Sequence, residues 1–210
     1  MPAADGKLGP EHFQRDDESE DALFYAEPRL VAHIDEAACA ALTGWFRDNL
    51  PAGADILDLM SSCVSHLPAD VAWRRVAGLG MNAVELAANP QLTDHVVHDL
   101  GRNPALPFAD ASFEACLITV SVQYLIHPLR VFAEIARVLR SGGLCAVSFS
   151  NRMFPTKAVA VWHALDDIGH ARLVAYYFGE TAGFDEPVFT DLSPDPGYSD
   201  PLFMVSARRG

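Results

Sequence analysis

The sequence predicts an α/β fold: a Rossmann-like doubly wound, mostly parallel sheet with an antiparallel final strand. Three observations carry this. From residue 54 onward, short apolar runs of strand length alternate with helical patterns, the rhythm of successive βαβ units. The first run, Asp55-Ile-Leu-Asp-Leu-Met60, is apolar but for the acid at Asp58 and meets a turn of small residues at Ser61 and Ser62. A buried parallel strand feeding a ligand-facing loop has this form. Finally, two strand-like runs, Pro187 to Leu192 and Pro201 to Ala207, flank the loop Ser193 to Asp200, which is too short for a parallel crossover.

Composition narrows the function classes. At 210 residues the chain reads as one compact domain, with 50% hydrophobic and 20% charged residues, as in soluble α/β enzymes. Fifteen Lys+Arg against 28 Asp+Glu give a net charge of -13, which repels phosphate backbones and anionic membrane surfaces. Nucleic acid and membrane partners are therefore not expected. Cys39, Cys63, Cys116 and Cys145 form no CxxC pair, consistent with reduced thiols in a cytoplasmic protein. The first residues are polar and acidic, unlike a secretory signal, and no apolar run approaches the ~18 residues that span a bilayer.

Taken in order, residues 1–21 are rich in charge and small side chains, and a mobile tail is expected there. Residues 22–53 read as an arm and a helix. Phe24, Tyr25, Pro28 and Arg29 suggest a segment that docks on the body or closes a site, and Ala38, Ala41, Leu42, Trp45, Phe46 and Leu50 recur at helical spacing behind an Asp35 cap. The main domain is expected over 54–210. Arg75 to Gly80 is its second strand, and Ala83 to Ala88 a helix stopped by Asn89-Pro90. His95 to Asp99 is a third strand and Phe113 to Val122 a fourth. A helix over Val131 to Leu139 is expected to stop at Ser141-Gly142-Gly143 before a fifth strand, Leu144 to Phe149. A longer helix over Ala158 to Phe178 is expected to break near Gly169.

Two stretches then resemble a known family. Asp99-Leu100 followed by Leu106-Pro107-Phe108 and Ser112-Phe113-Glu114 matches a "D…LPF…SFD" run, and Glu134-Ile-Ala-Arg137-Val138-Leu139 followed by Gly142-Gly143 matches "E…RVLKPGG". In this order and spacing the chain resembles a class I S-adenosylmethionine-dependent methyltransferase of the type 11 group, over roughly 56–209. The resemblance implies S-adenosylmethionine as cofactor and an unidentified small-molecule acceptor. It implies that Asp58 orders the loop holding the methionine part, that Asp99 and Leu100 lie beside the adenine, and that the ribose lies over the end of the second strand.

The sequence departs from that family in two places. Met60, Ser62 and Val64 stand where loop glycines are expected, and a positive φ at Met60 is costly for a residue with a Cβ. Gly80 stands where the family carries the acid that grips the ribose hydroxyls. The expectation is that Ser61 and Ser62 hydroxyls replace backbone contacts, that Asn82 or Glu85 serves the ribose, and that Gly80→Asp tightens cofactor binding. The alternative is a non-catalytic small-molecule or protein binding module derived from the methyltransferase fold. A nicotinamide-binding domain has no support, because GxGxxG is absent.

Gln123 and Tyr124 directly follow the fourth strand, where the acceptor is expected, and are the candidate catalytic residues. Tyr25, Arg29, Asn151 and Arg152 are candidate substrate contacts, a loop arginine being suited to an acidic group. Cys63 and His66 lie near the loop without a visible orienting partner, so local packing is the expected role. His95 and His98 fall on opposite faces of their strand, and no metal site is expected.

Overall fold

The computed structural model describes residues 8–210; the rest of the expected mobile tail, residues 1–7, lies outside the described residues. Seven strands form one sheet in the order β3-β2-β1-β4-β5-β7-β6. They span Asp55–Leu59 (β1), Arg75–Gly80 (β2), Asp94–Val97 (β3), Phe113–Thr119 (β4), Leu139–Phe149 (β5), Val188–Asp191 (β6) and Phe203–Arg208 (β7). The first five pair in parallel, while β7 runs antiparallel to both β5 and β6. The expected architecture is therefore present.

Helices cover both faces because the central strands are apolar on both. Along β4, Cys116 and Ile118 join one core with Leu57, Phe132 and Trp162, while Ala115 and Leu117 join the other with Ala38, Leu42 and Phe46. This is the two-residue period of a strand buried on both sides. A short helix, α1, covers Asp21–Phe24, and α2 covers Glu36–Asn49, where the Asp35 carboxylate accepts from the Ala38 amide at 2.9 Å as a cap. The remaining helices are α3 (Ala83–Ala88), α4 (Pro128–Val138), α5 (Ala160–His163) and α6 (Asp167–Gly179).

Several boundaries differ from the sequence expectation. The helix α4 ends at Val138 and the chain enters β5 at once, so Ser141-Gly142-Gly143 lies inside the strand. Gly142 there has φ 75 and its amide donates to the Arg209 carbonyl at 2.7 Å, an irregularity that a residue without Cβ accommodates. The long C-terminal helix breaks over 164–166, ahead of Gly169. The Asp166 carboxylate accepts from the Gly169 amide at 2.8 Å, which makes Gly169 part of a capped first turn. Likewise β4 ends at Thr119, because Val120 takes φ 48 and turns the chain.

Residues 8–21 are the larger difference. They are docked on the body: Arg15 bridges Val159, the Asp17 amide donates to the Thr156 carbonyl at 2.8 Å, and the Ala160 amide donates to the Gln14 carbonyl. Lys157 explains the docking. Its ammonium is fully buried and is held by the Ser19 carbonyl at 2.7 Å and by Asp21 at 3.1 Å, while Asp21 also takes two bonds from Arg15. A charge this deep persists only when paired, so the acids of this segment act as ion-pair partners rather than as a solvated tail.

Candidate active site

A cleft of about 550 Å³ opens at the carboxyl ends of the parallel strands. It lies where strand order reverses between β1 and β4, the usual ligand position in doubly wound sheets. Tyr25, Arg29, Asp58, Met60, Ser61, Ser62, Gly80, Asn82, Asp99, Leu100, Tyr124, Asn151 and Arg152 all line it. Gln123 does not.

Asp58 is the next-to-last residue of β1 and is buried. It accepts from Ser61 Oγ at 2.5 Å and from Ser65 Oγ at 2.6 Å, while Asn89 Nδ2 donates to Ser65 Oγ and to the Ser62 carbonyl. Loss of water pushes its pKa up to about 6, against the lowering effect of the two hydroxyls. The loop after β1 is thus organised around one carboxylate. Met60 within it has φ 60, the left-handed region where a glycine would sit unstrained, and the distortion costs about 1–2 kcal/mol.

Both serine hydroxyls expected to serve a cofactor already donate to carboxylates, which leaves them as acceptors. Ser61 Oγ is engaged by Asp58, and Ser62 Oγ donates to Glu85 at 2.6 Å. Asn82 is equally committed: its Oδ1 caps α3 through the Val84 and Glu85 amides, and its Nδ2 donates to the Tyr25 and Ala26 carbonyls. Glu85, buried behind it, accepts from the Arg29 amide at 2.7 Å. These bonds tie the amino-terminal arm across the cleft. Asp99 turns its Oδ1 onto the Gly101 and Arg102 amides at 2.8 and 3.1 Å.

Gly80 overturns the expected benefit of an added carboxylate. A Cβ there would lie 2.2 Å from the Ser61 carbonyl oxygen and 3.2 Å from Leu86 Cδ2. The Ser61 amide also donates to the Leu79 carbonyl at 2.8 Å, so the loop crosses directly over the end of β2. No side chain fits at 80 without moving that backbone, and Gly80→Asp is expected to disrupt the site.

On the other side, Gln123 is fully buried, and its Nε2 donates to the Val120 carbonyl at 3.0 Å. Its role is to support the bend at Val120, a β-branched residue held at φ 48 on the cleft wall, and its expected contact with an acceptor is corrected. The Tyr124 hydroxyl accepts from the Phe154 amide at 2.8 Å, and the two rings stack 5.9 Å apart. Phe154 in turn meets Phe24, Tyr25 and His33 edge-on. Arg152 sits at the exposed rim, 3.9 Å from Asp200.

Sequence reasoning missed Phe154 and His33 and set His66 aside as packing. All three line the cleft. Burial lowers the pKa of both imidazoles, that of His66 to about 4 with further help from nearby His33, so both are neutral bases near pH 7. His33 gave no signal in the sequence, whereas Phe154 stood two residues beyond Arg152 in a loop already assigned to the rim. Thr119, Ser121 and Arg29 line the same cleft, and their Oγ1, Oγ and Nη1 atoms are buried without a hydrogen-bond partner among the described residues.

Residues 61–147 match the methyltransferase domain family. Over that stretch the chain is similar to this family. It is 33% identical over 86 residues to the biotin biosynthesis bifunctional protein BioHC of Teredinibacter turnerae, covering 41% of this chain and 14% of that protein. It is 26% identical over 203 residues to an uncharacterized methyltransferase of a Mycobacterium species, covering 93% of this chain and 73% of the relative. The chain spans less than half the length of most curated relatives it matches. Among solved structures, an S-adenosylmethionine dependent methyltransferase from Mesorhizobium loti superposes with TM-score 0.55 at 17% identity, covering 80% of this chain and 98% of that one. That methyltransferase thus shares its fold with this chain. Among the described residues, no helix is long and apolar enough to cross a membrane.

Proposed function

We propose that this chain transfers a methyl group from S-adenosylmethionine to a small-molecule acceptor in the cleft above β1 and β4. The observation that carries the reading is Asp58 near the end of β1 and Asp99 beyond β3 lining one cleft at the strand-order reversal, Asp99 inside and Asp58 three residues ahead of the segment that matches the methyltransferase domain family. The cleft also fits such a ligand chemically. It presents buried unpartnered polar atoms on Thr119, Ser121 and Arg29, and donors and acceptors without partners are costly unless a ligand satisfies them.

When bound, the cofactor supplies a methyl group already activated on a sulfonium. The protein's work is then to align an acceptor and exclude water. Asp58 and the loop it organises, with Asp99 and Leu100, would hold the donor. Tyr25, Tyr124 and Phe154 would wall the acceptor side, and the arm over 21–34 would cover it. His33 and His66, neutral near pH 7, would accept a proton from an acceptor that carries one. Asn151 and Arg152 would contribute at the rim.

Thermal shift of the purified protein with S-adenosylmethionine, S-adenosylhomocysteine and NAD in parallel tests the reading. Stabilisation by the adenosyl compounds of about 2.7 kcal/mol at 100 times the dissociation constant is expected, with no response to NAD. Silence from the adenosyl compounds would instead support a binding module that has lost the cofactor, which the crossing of Ser61 over β2 would explain.

A further inference from the structure

Among the described residues, Arg29 is the one arginine or lysine of the cleft with no carboxylate within 4.0 Å. Its Nη2 donates to the Phe24 carbonyl at 3.1 Å, but Nη1 is buried without a hydrogen-bond partner and no carboxylate among the described residues comes within 4.0 Å of the guanidinium. The neighbouring acids are engaged elsewhere. Asp21 is taken by Arg15 and Lys157, while Glu85 receives the Arg29 backbone amide and the Ser62 hydroxyl. The contrast within the same arm is direct. Arg15 of the arm and Lys157, the buried body cation that holds the arm, are both paired with carboxylates.

Aromatic rings surround the guanidinium: its central carbon lies 4.8 Å from the Phe24 centroid, 4.9 Å from Phe154 and 5.9 Å from Tyr25. These faces stabilise a cation and fix its plane, but they do not accept the N–H bonds. A rigid fork with an unsatisfied donor, beside a cleft that weakens solvent screening, suits a planar anion with two acceptor oxygens once the side chain turns toward it. The overall charge of -13 makes an uncompensated arginine here more conspicuous still.

We propose that Arg29 anchors a carboxylate group of the molecule bound in this cleft. The inference rests on the methyltransferase reading only for the origin of that group. Two sources share the chemistry: the amino-acid end of the donor, and an acceptor that is an aromatic or similarly flat organic acid, whose ring would lie along Tyr25, Tyr124 and Phe154.

Calorimetric titration of the wild type, Arg29→Gln and Arg29→Lys separates them. The first probe pair is S-adenosylhomocysteine and 5′-methylthioadenosine, which lacks the amino-acid carboxylate. The second is benzoate and benzamide, run with and without saturating S-adenosylhomocysteine. In at least one pair the wild type should prefer the carboxylate by about tenfold or more, the scale of one charge-assisted hydrogen bond. Arg29→Gln should abolish the preference and Arg29→Lys retain part of it. Loss confined to the adenosyl pair assigns the donor end, and loss confined to the benzoate pair assigns the acceptor. A wild type with no preference in either pair overturns the proposal, whatever the variants do. So does a preference that survives in Arg29→Gln with an unchanged melting temperature. If neither adenosyl compound binds, the methyltransferase reading fails, while the benzoate pair without cofactor still decides Arg29.

Discussion

Replacing Gly80 by alanine tests whether the loop after β1 truly closes over the end of β2. The added Cβ would stand 2.2 Å from the Ser61 carbonyl oxygen. Restoring an ordinary separation of ~3.5 Å requires more than ~1 Å of movement in the Met60–Ser61 backbone. That movement strains the Ser61-to-Leu79 hydrogen bond of 2.8 Å and the Asp58 contact of Ser61. Overpacking of this kind costs about 1–3 kcal/mol, and a weakened hydrogen bond about 1 more. The sum of about 2–4 kcal/mol corresponds to a fall in melting temperature of roughly 4–16 °C for a chain of this length. Because the same loop lines the cleft, affinity for S-adenosylhomocysteine should fall with it. Gly44→Ala is the control: its Cβ meets nothing within 4 Å, and in the interior of α2 it should stabilise by up to about 1 kcal/mol. Scanning calorimetry of both variants decides the matter. A Gly80→Ala protein that melts within a degree of the wild type would show that the end of β2 is open, and the account of this loop would be wrong.

Two further outcomes follow from buried charges. Asp58, with a folded pKa of about 6 against 3.8 in the unfolded chain, keeps a proton that the unfolded chain releases. Stability therefore falls by about 3 kcal/mol as pH rises from about 4 to about 6, then levels off. Asp58→Asn should remove that slope, and urea unfolding curves for variant and wild type that stay parallel across this window would refute it. Lys157→Met deletes the buried cation that holds the arm and leaves Asp17 and Asp21 facing each other across its site. A loss of about 3 kcal/mol or more in arm docking is expected, read as faster proteolysis within 15–33 while the sheet resists. Equal cleavage rates in both proteins would show that the arm is held by something else.

Much of this fold is legible because its signals are local. Each strand is a short apolar run, Asp35 marks a helix start, and the last two runs lie too close together for anything but a hairpin. The position of the cleft is also readable, since a doubly wound sheet binds ligands where its strand order reverses. What each cleft residue does is a different matter, because it depends on partners distant in sequence. Ser62 faces Glu85 across 23 residues, and Asn82 reaches back 57 to Tyr25. Lys157 recruits Asp17 and Asp21, more than 130 positions earlier, which turns an apparent tail into a docked arm. Gln123 follows the fourth strand just as Tyr124 does, yet the left-handed turn at Val120 rotates it into the core. The sequence by itself determined the sheet, its order of elements and the end at which a ligand sits. Only the tertiary structure decided that a carbonyl occupies the place over Gly80 and that Arg29 keeps an unanswered charge, because hydrogen-bond satisfaction and close packing are properties of residues brought together in space.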